Sequence, residues 1–153
     1  MRLLSLRVGA VIGLAVVCVA FPVRAESTLA TLLDPYFRIQ TALTDDKTDG
    51  VKTDAALIAA EAKSLGAAGE PIAAAATELA AVADLNAARL AFGKLSDAVI
   101  AYSESTKTDA GDGVTAMYCP MVKKSWLQKG TAVKNPYYGK AMQGCGEKKK
   151  KAA

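Results

Sequence analysis

Histidine is missing from all 153 residues. Its absence excludes Ser–His–Asp and Cys–His catalysis, histidine-ligated zinc enzymes and histidine-ligated haem together. Phosphate loops, nucleophile–base pairs and cofactor fingerprints are missing too, so no enzymatic activity is expected. Cysteine is scarce: Cys18, Cys119 and Cys145 are the whole set, and none forms the Cys-x-x-Cys spacing of a redox dithiol. A basic face is also lacking. Basic residues outnumber acidic ones 19 to 15, but Arg2, Arg7 and Arg24 sit in the first 25 residues and Lys148–Lys151 form a terminal run. Setting these seven aside leaves 12 basic against 15 acidic side chains, which is no footprint for nucleic acid.

The first 25 residues read as a secretory signal peptide. Arg2 and Arg7 give a positive start, and Val8–Phe21 is an unbroken run of 14 apolar or glycine residues. Pro22-Val23-Arg24-Ala25 places small side chains at the −1 and −3 positions of a cut after Ala25. A bilayer span wants about 20 apolar residues, so no stable membrane span is expected after cleavage. The expected destination is periplasmic or secreted, an oxidising compartment, where only Cys119 and Cys145 remain.

The next stretch, 26–107, predicts helices. Between residues 51 and 100, 18 of 50 residues are alanine, the best helix former. Four stripes of apolar residues three and four apart stand out. They are Leu29, Leu32, Tyr36, Ile39, Leu43; then Val51, Ala55, Ile58, Ala62, Leu65; then Ile72, Ala75, Leu79, Val82; then Leu85, Ala88, Phe92, Leu95, Val99, Tyr102. Asp34-Pro35 looks like a cap followed by a first-turn proline, which would start the first helix there. Gly66 and Gly69 offer stops, Glu70-Pro71 a restart and Asp84 a cap. The fold class expected is all-α with a small appended lobe: an up-down four-helix bundle and a C-terminal hairpin or irregular Cys/Met lobe over 108–146. Residues 147–153 read as a disordered basic tail. The acidic segments Asp45–Gly50 and Asp109–Gly113 read as turns and caps: in the first, Lys47 and Ala56 occupy positions where a calcium loop needs ligands, and the second is too short for one.

Chemistry concentrates in the lobe. Both remaining cysteines, Met117, Met121 and Met142, Trp126 and three tyrosines lie between Met117 and Gly146. Thiols and thioethers without imidazole suit Cu(I) or Ag(I) and suit Ca²⁺ or Mg²⁺ poorly. On an extended strand Met117, Cys119 and Met121 would share a face, and on a helical turn Met142 and Cys145 would share another. The candidate ligands are Cys119, Met121, Met142 and Cys145, with Met117 as a spare donor or as packing. Two alternatives stand beside metal binding. A structural Cys119–Cys145 disulfide would close a loop of 26 positions, for which chain entropy gives roughly 3.5 kcal/mol. A redox-active pair is the other. Tyr118, Trp126, Tyr137 and Tyr138 are expected to form the lobe's hydrophobic skin.

Blocks along the chain carry a resemblance. Asp34-Pro-Tyr-Phe-Arg-Ile-Gln-Thr-Ala-Leu-Thr-Asp-Asp46, Ala91-Phe-Gly-Lys-Leu-Ser-Asp-Ala-Val-Ile100, Tyr118-Cys-Pro-Met121, Trp126-Leu127, Lys134-Asn-Pro-Tyr-Tyr-Gly139, Met142 and Cys145-Gly146 together resemble a bacterial domain family of uncharacterised function. That family occurs as single exported domains and fused to periplasmic adaptor subunits of heavy-metal efflux pumps. The resemblance implies a helical bundle bearing the Cys/Met lobe, an association with copper or silver handling, and heavy-metal efflux components as partners. Cys119-Pro120-Met121 is also similar to the Cys-Pro-Met core of small heavy-metal-binding modules, whose histidine and further cysteines have no counterpart here. The function expected is that of an exported Cu(I)- or Ag(I)-binding chaperone or scavenger. The alternative is a structural envelope domain with a disulfide and no metal.

Overall fold

The computed structural model describes residues 29–149, so the expected signal peptide and the last four residues lie outside the described part. The described chain is mostly helical and carries a small antiparallel sheet. In order it forms α1 (Leu29–Thr44), α2 (Val51–Ala62), a 3-10 segment (Lys63–Gly69), α3 (Glu70–Ala81), α4 (Leu85–Thr106), β1 (Val114–Cys119), β2 (Lys124–Lys129), a 3-10 turn (Gly139–Ala141) and β3 (Glu147–Lys148). Among the described residues no helix is long and apolar enough to cross a membrane.

Helix α1 runs straight through Pro35, against the expectation that the proline would open it. The ring lacks an N–H and ordinarily costs a helix about 3 kcal/mol. Burial of Leu32, Leu33, Tyr36, Phe37 and Ile39 on both sides of Pro35 supplies the offsetting packing. Of the two glycine stops expected, Gly66 acts as one, whereas Gly69 keeps right-handed helical angles and leads into α3. Gly66 adopts φ +69°, a left-handed conformation that ends the helical run after α2. Gly69 is buried, and a Cβ there would collide with the Ala62 carbonyl, so only glycine lets the α2–α3 corner fold this tightly. Asp84 caps α4, its carboxylate accepting the Ala87 N–H at 2.9 Å.

Consecutive helices pack on one another, while α1 and α4 touch more sparingly, with β2 lying against both. One aromatic chain ties helices to lobe: Tyr36 meets Phe92 at 5.0 Å, Phe92 meets Tyr137 at 6.2 Å, and Tyr137 meets Trp126 edge-on at 5.8 Å. The Tyr36 hydroxyl lies 2.7 Å from Ser96 Oγ and accepts the Leu127 N–H at 3.0 Å. Burial pushes this phenol's pKa far up, so it stays a neutral hydrogen-bonding group. Gly93 on α4 leaves room for Lys124 and Tyr137 to lie against the helix.

The sheet has the order β2-β1-β3, antiparallel throughout, with Met117 opposite Trp126 and Tyr118 opposite Glu147. Strand β3 corrects one expectation. Glu147–Lys148 were assigned to a disordered tail, but they pair with β1, and Lys149 donates its N–H to the Ala116 carbonyl at 2.8 Å. The open edge of β1 offers backbone partners that outweigh the lysines' preference for water.

Candidate functional site

Strand β1 alternates, burying Thr115, Met117 and Cys119 and turning Ala116 and Tyr118 partly outward. That places Cys119 at the inner end of the strand, fully buried. The turn that follows, residues 120–123, closes with Lys123 at φ +54° and folds the backbone back over the cysteine. The Val122 and Met121 N–H groups donate to the Cys119 sulfur, as does the Asn135 side chain.

Cys145 arrives from the other end of the lobe. Met142, just after the 3-10 turn, accepts the Cys145 N–H at 2.9 Å, and Asn135 Nδ2 donates to the Cys145 carbonyl at 2.6 Å. Gly146 then lies on Trp126, where a Cβ would come within 2.7 Å of the indole ring. With its backbone fixed on both sides, Cys145 stands with its sulfur 4.0 Å from that of Cys119, both thiols free. The two sulfurs are unequal. Burial pushes the Cys119 thiol up, but the Val122, Asn135 and Met121 donors and the Cys145 thiol outweigh it and hold its pKa below the ordinary thiol value. Burial, the hydrogen bond to Cys119 and the charge there push Cys145 up. Cys119 is thus the more acidic thiol of the pair and Cys145 the less acidic.

The methionines are arranged differently from the expected faces. Met121 is not on the strand face of Cys119, because β1 ends at the cysteine; it sits in the turn with 63% of its surface exposed. Met142 and Cys145 share a turn rather than a helical face, and Met142 is 36% exposed. Met117 is buried in the core opposite Trp126, a packing position. Trp126 is likewise fully buried, with Nε1 donating to Gln128 Oε1 at 3.1 Å. Tyr137 is buried and donates its hydroxyl to the Ser125 carbonyl at 2.6 Å, while Tyr118 and Tyr138 are half-buried. Among the described residues no cluster of three or more cysteine and carboxylate side chains is placed to hold a metal ion. The sulfur site is therefore a two-thiol centre with exposed thioethers beside it.

The polar residues that hold this centre in place form no ligand or catalytic motif, although Gln40, Asp46, Asn135 and Gly139 fall within the blocks that carry the family resemblance. Asn135 Oδ1 accepts the Tyr137 and Tyr138 N–H groups at 2.7 and 3.3 Å, so one carboxamide shapes the Asn-Pro turn and reaches both cysteines. Gln40 on α1 donates to the Lys134 carbonyl at 2.7 Å. Gln128 takes the Lys134 N–H and gives to the Ala132 carbonyl. Arg89 donates to the Pro136 and Leu43 carbonyls and pairs with Asp46, holding that carboxyl below its ordinary range. Gly139, at φ +54°, packs so closely on Asp46 and Arg89 that a side chain there would displace them. The acidic stretch before α2 thus locks lobe to helices through Asp46.

Taken together, fold and site define a mostly helical domain with a cysteine pair in an appended sheet lobe. The chain belongs to the family described as "Protein of unknown function (DUF3347)", whose pattern matches residues 32–111, just over half of the sequence. The match covers the helices and ends before β1, leaving the Cys-Pro-Met and Asn-Pro-Tyr-Tyr-Gly blocks outside it. No curated protein and no solved structure matches the chain.

Proposed function

We propose that this is an exported protein that holds Cu(I) or Ag(I) between Cys119 and Cys145, as a chaperone or scavenger beside heavy-metal efflux components. The helices are read as an up-down four-helix scaffold presenting the lobe. The observation that carries the reading is the 4.0 Å separation of two free cysteine sulfurs. With thiolate–metal bonds of about 2.3 Å, that separation subtends roughly 120° at a shared ion. Such an angle suits a three-coordinate soft ion and leaves one position for the thioether of Met121 or Met142. The export signal and the resemblance to efflux-associated domains supply the setting.

A Cu(I) titration of the reduced protein against a competing chelator tests it. One Cu(I) per chain is expected to be retained, and the Cys119→Ser/Cys145→Ser double variant is expected to lose it. Met121→Leu with Met142→Leu weakens retention without abolishing it. Equal retention by the double-cysteine variant and the native protein contradicts the proposal.

The same proximity favours a second reading, a permanent Cys119–Cys145 disulfide in a structural envelope domain. Intact mass of protein recovered from the cell separates the two. A quantitative deficit of two hydrogens that is indifferent to copper supply supports the disulfide.

A further inference from the structure

We propose that Cys119 and Cys145 form a thiol–disulfide switch with divided roles: Cys145 exchanges with disulfides and thiols from solution, Cys119 resolves the exchange from inside, and closing the pair releases the bound ion. The release clause rests on the soft-metal reading above; the two exchange roles do not.

Access assigns the first role. Cys119 has no exposed surface, lying under the 120–123 turn and against Asn135. A disulfide from solution needs an open line to the sulfur it meets, and Cys119 offers none. Cys145 is half-buried, and its neighbour Gly144 stands in open space. The backbone at Cys145 is tied at its N–H and its carbonyl, so closing the pair from 4.0 Å to a bond of about 2.05 Å falls to side-chain rotation.

Position assigns the second role. Cys119 is fully buried with its sulfur 4.0 Å from that of Cys145, within reach of a mixed disulfide on Cys145 and shielded from solution. In oxidation, Cys145 gives up its proton and attacks a small disulfide R–S–S–R; a Cys145–S–S–R bond forms and RS⁻ departs, taking up a proton. The Cys119 thiolate then attacks the Cys145 sulfur, forms the internal disulfide and expels the second RS⁻. The two thiol protons end on the two RSH products, and two electrons pass from the protein to R–S–S–R. In reduction an outside thiolate attacks the accessible Cys145 sulfur, and Cys119 departs as a thiolate that then takes up a proton. With both thiolates consumed, only thioethers remain, and they are weaker ligands than the pair.

Glutathione disulfide is the probe, and intact mass the readout. The reduced native protein is expected to lose two hydrogens without accumulating adduct. Cys119→Ala is expected to accumulate one glutathione, on Cys145. Cys145→Ala, with Cys119 alone, is expected to stay unmodified over the same period. Cys119→Ser repeats the second arm with a polar substitute, and cooperative urea unfolding qualifies each variant as folded. Modification of Cys145→Ala as fast as of Cys119→Ala overturns the assigned roles, and so does adduct persisting on the native protein. In a separate arm, Cu(I)-loaded native protein is oxidised under the competing chelator. Release in step with disulfide formation supports the switch, and an oxidised protein that keeps its ion overturns it. Failure of the reduced protein to hold Cu(I) at all removes the metal reading and the release clause, while the mass arm decides the exchange roles.

Discussion

Asn135→Ala is expected to lower the unfolding free energy by about 3 kcal/mol, the combined effect of stranding several buried polar groups at roughly 1 kcal/mol or more each. The carboxamide serves the Tyr137 and Tyr138 N–H groups through its oxygen, and the Cys145 carbonyl and Cys119 sulfur through its nitrogen. Alanine removes the carboxamide from a fully buried position and leaves all four partners without it. Urea denaturation checks this: the midpoint falls while the slope stays fixed. Asn135→Asp separates the two halves of the amide. It keeps an acceptor for the tyrosine N–H groups but turns a carboxylate oxygen toward the carbonyl and the Cys119 sulfur. It is expected to be no more stable than the alanine variant. An aspartate variant as stable as the native protein would show that the nitrogen side contributes nothing, and the clamp on the cysteines would have to be abandoned.

Trp126→Ala is expected to have the larger effect, about 3–5 kcal/mol, as for other large aromatic truncations in a core. The indole is fully buried, faces Met117 across the sheet, meets Tyr137 edge-on and supports Gly146 beside Cys145. Losing it opens a void where helices and lobe join, and lets the segment carrying Cys145 drift. A second readout follows: Cys119, shielded in the native fold, is expected to react faster with a thiol reagent in the variant. A loss below about 1 kcal/mol would mean that the lobe does not depend on this side chain, contrary to the packing described.

The helices were legible because a period of three and four in an alanine-rich sequence has few other solutions, and because Gly66, Gly69 and Asp84 punctuate locally. Pro35 misled, since a local breaker rule says nothing of the packing that overrides it. An extended strand through Met117 and Cys119 was legible, but Glu147–Lys148 were not, because pairing with a free edge leaves no mark in a lysine-rich tail. The nearness of Cys119 and Cys145 was an expectation about ligand chemistry, and the 4.0 Å separation gives it a geometric form. Met117 shares the inner face of β1 with Cys119 as expected, but Met121 and Met142 miss their expected faces because both arguments assumed regular structure where the chain turns. Gln40, Arg89, Gln128 and Asn135 were illegible for a different reason. Each acts on backbone groups of the lobe, and for Gln40 that partner is 94 positions away, so no spacing rule can reach it.

The most direct measurement of the central claim is X-ray absorption at the copper edge on the Cu(I)-loaded, reduced protein. The account predicts a shell of sulfur alone: two thiolates at equal distance and one longer thioether, with the thiolate pair lost in the Cys119→Ser/Cys145→Ser variant. A shell dominated by nitrogen or oxygen, or one unchanged in that variant, would contradict it.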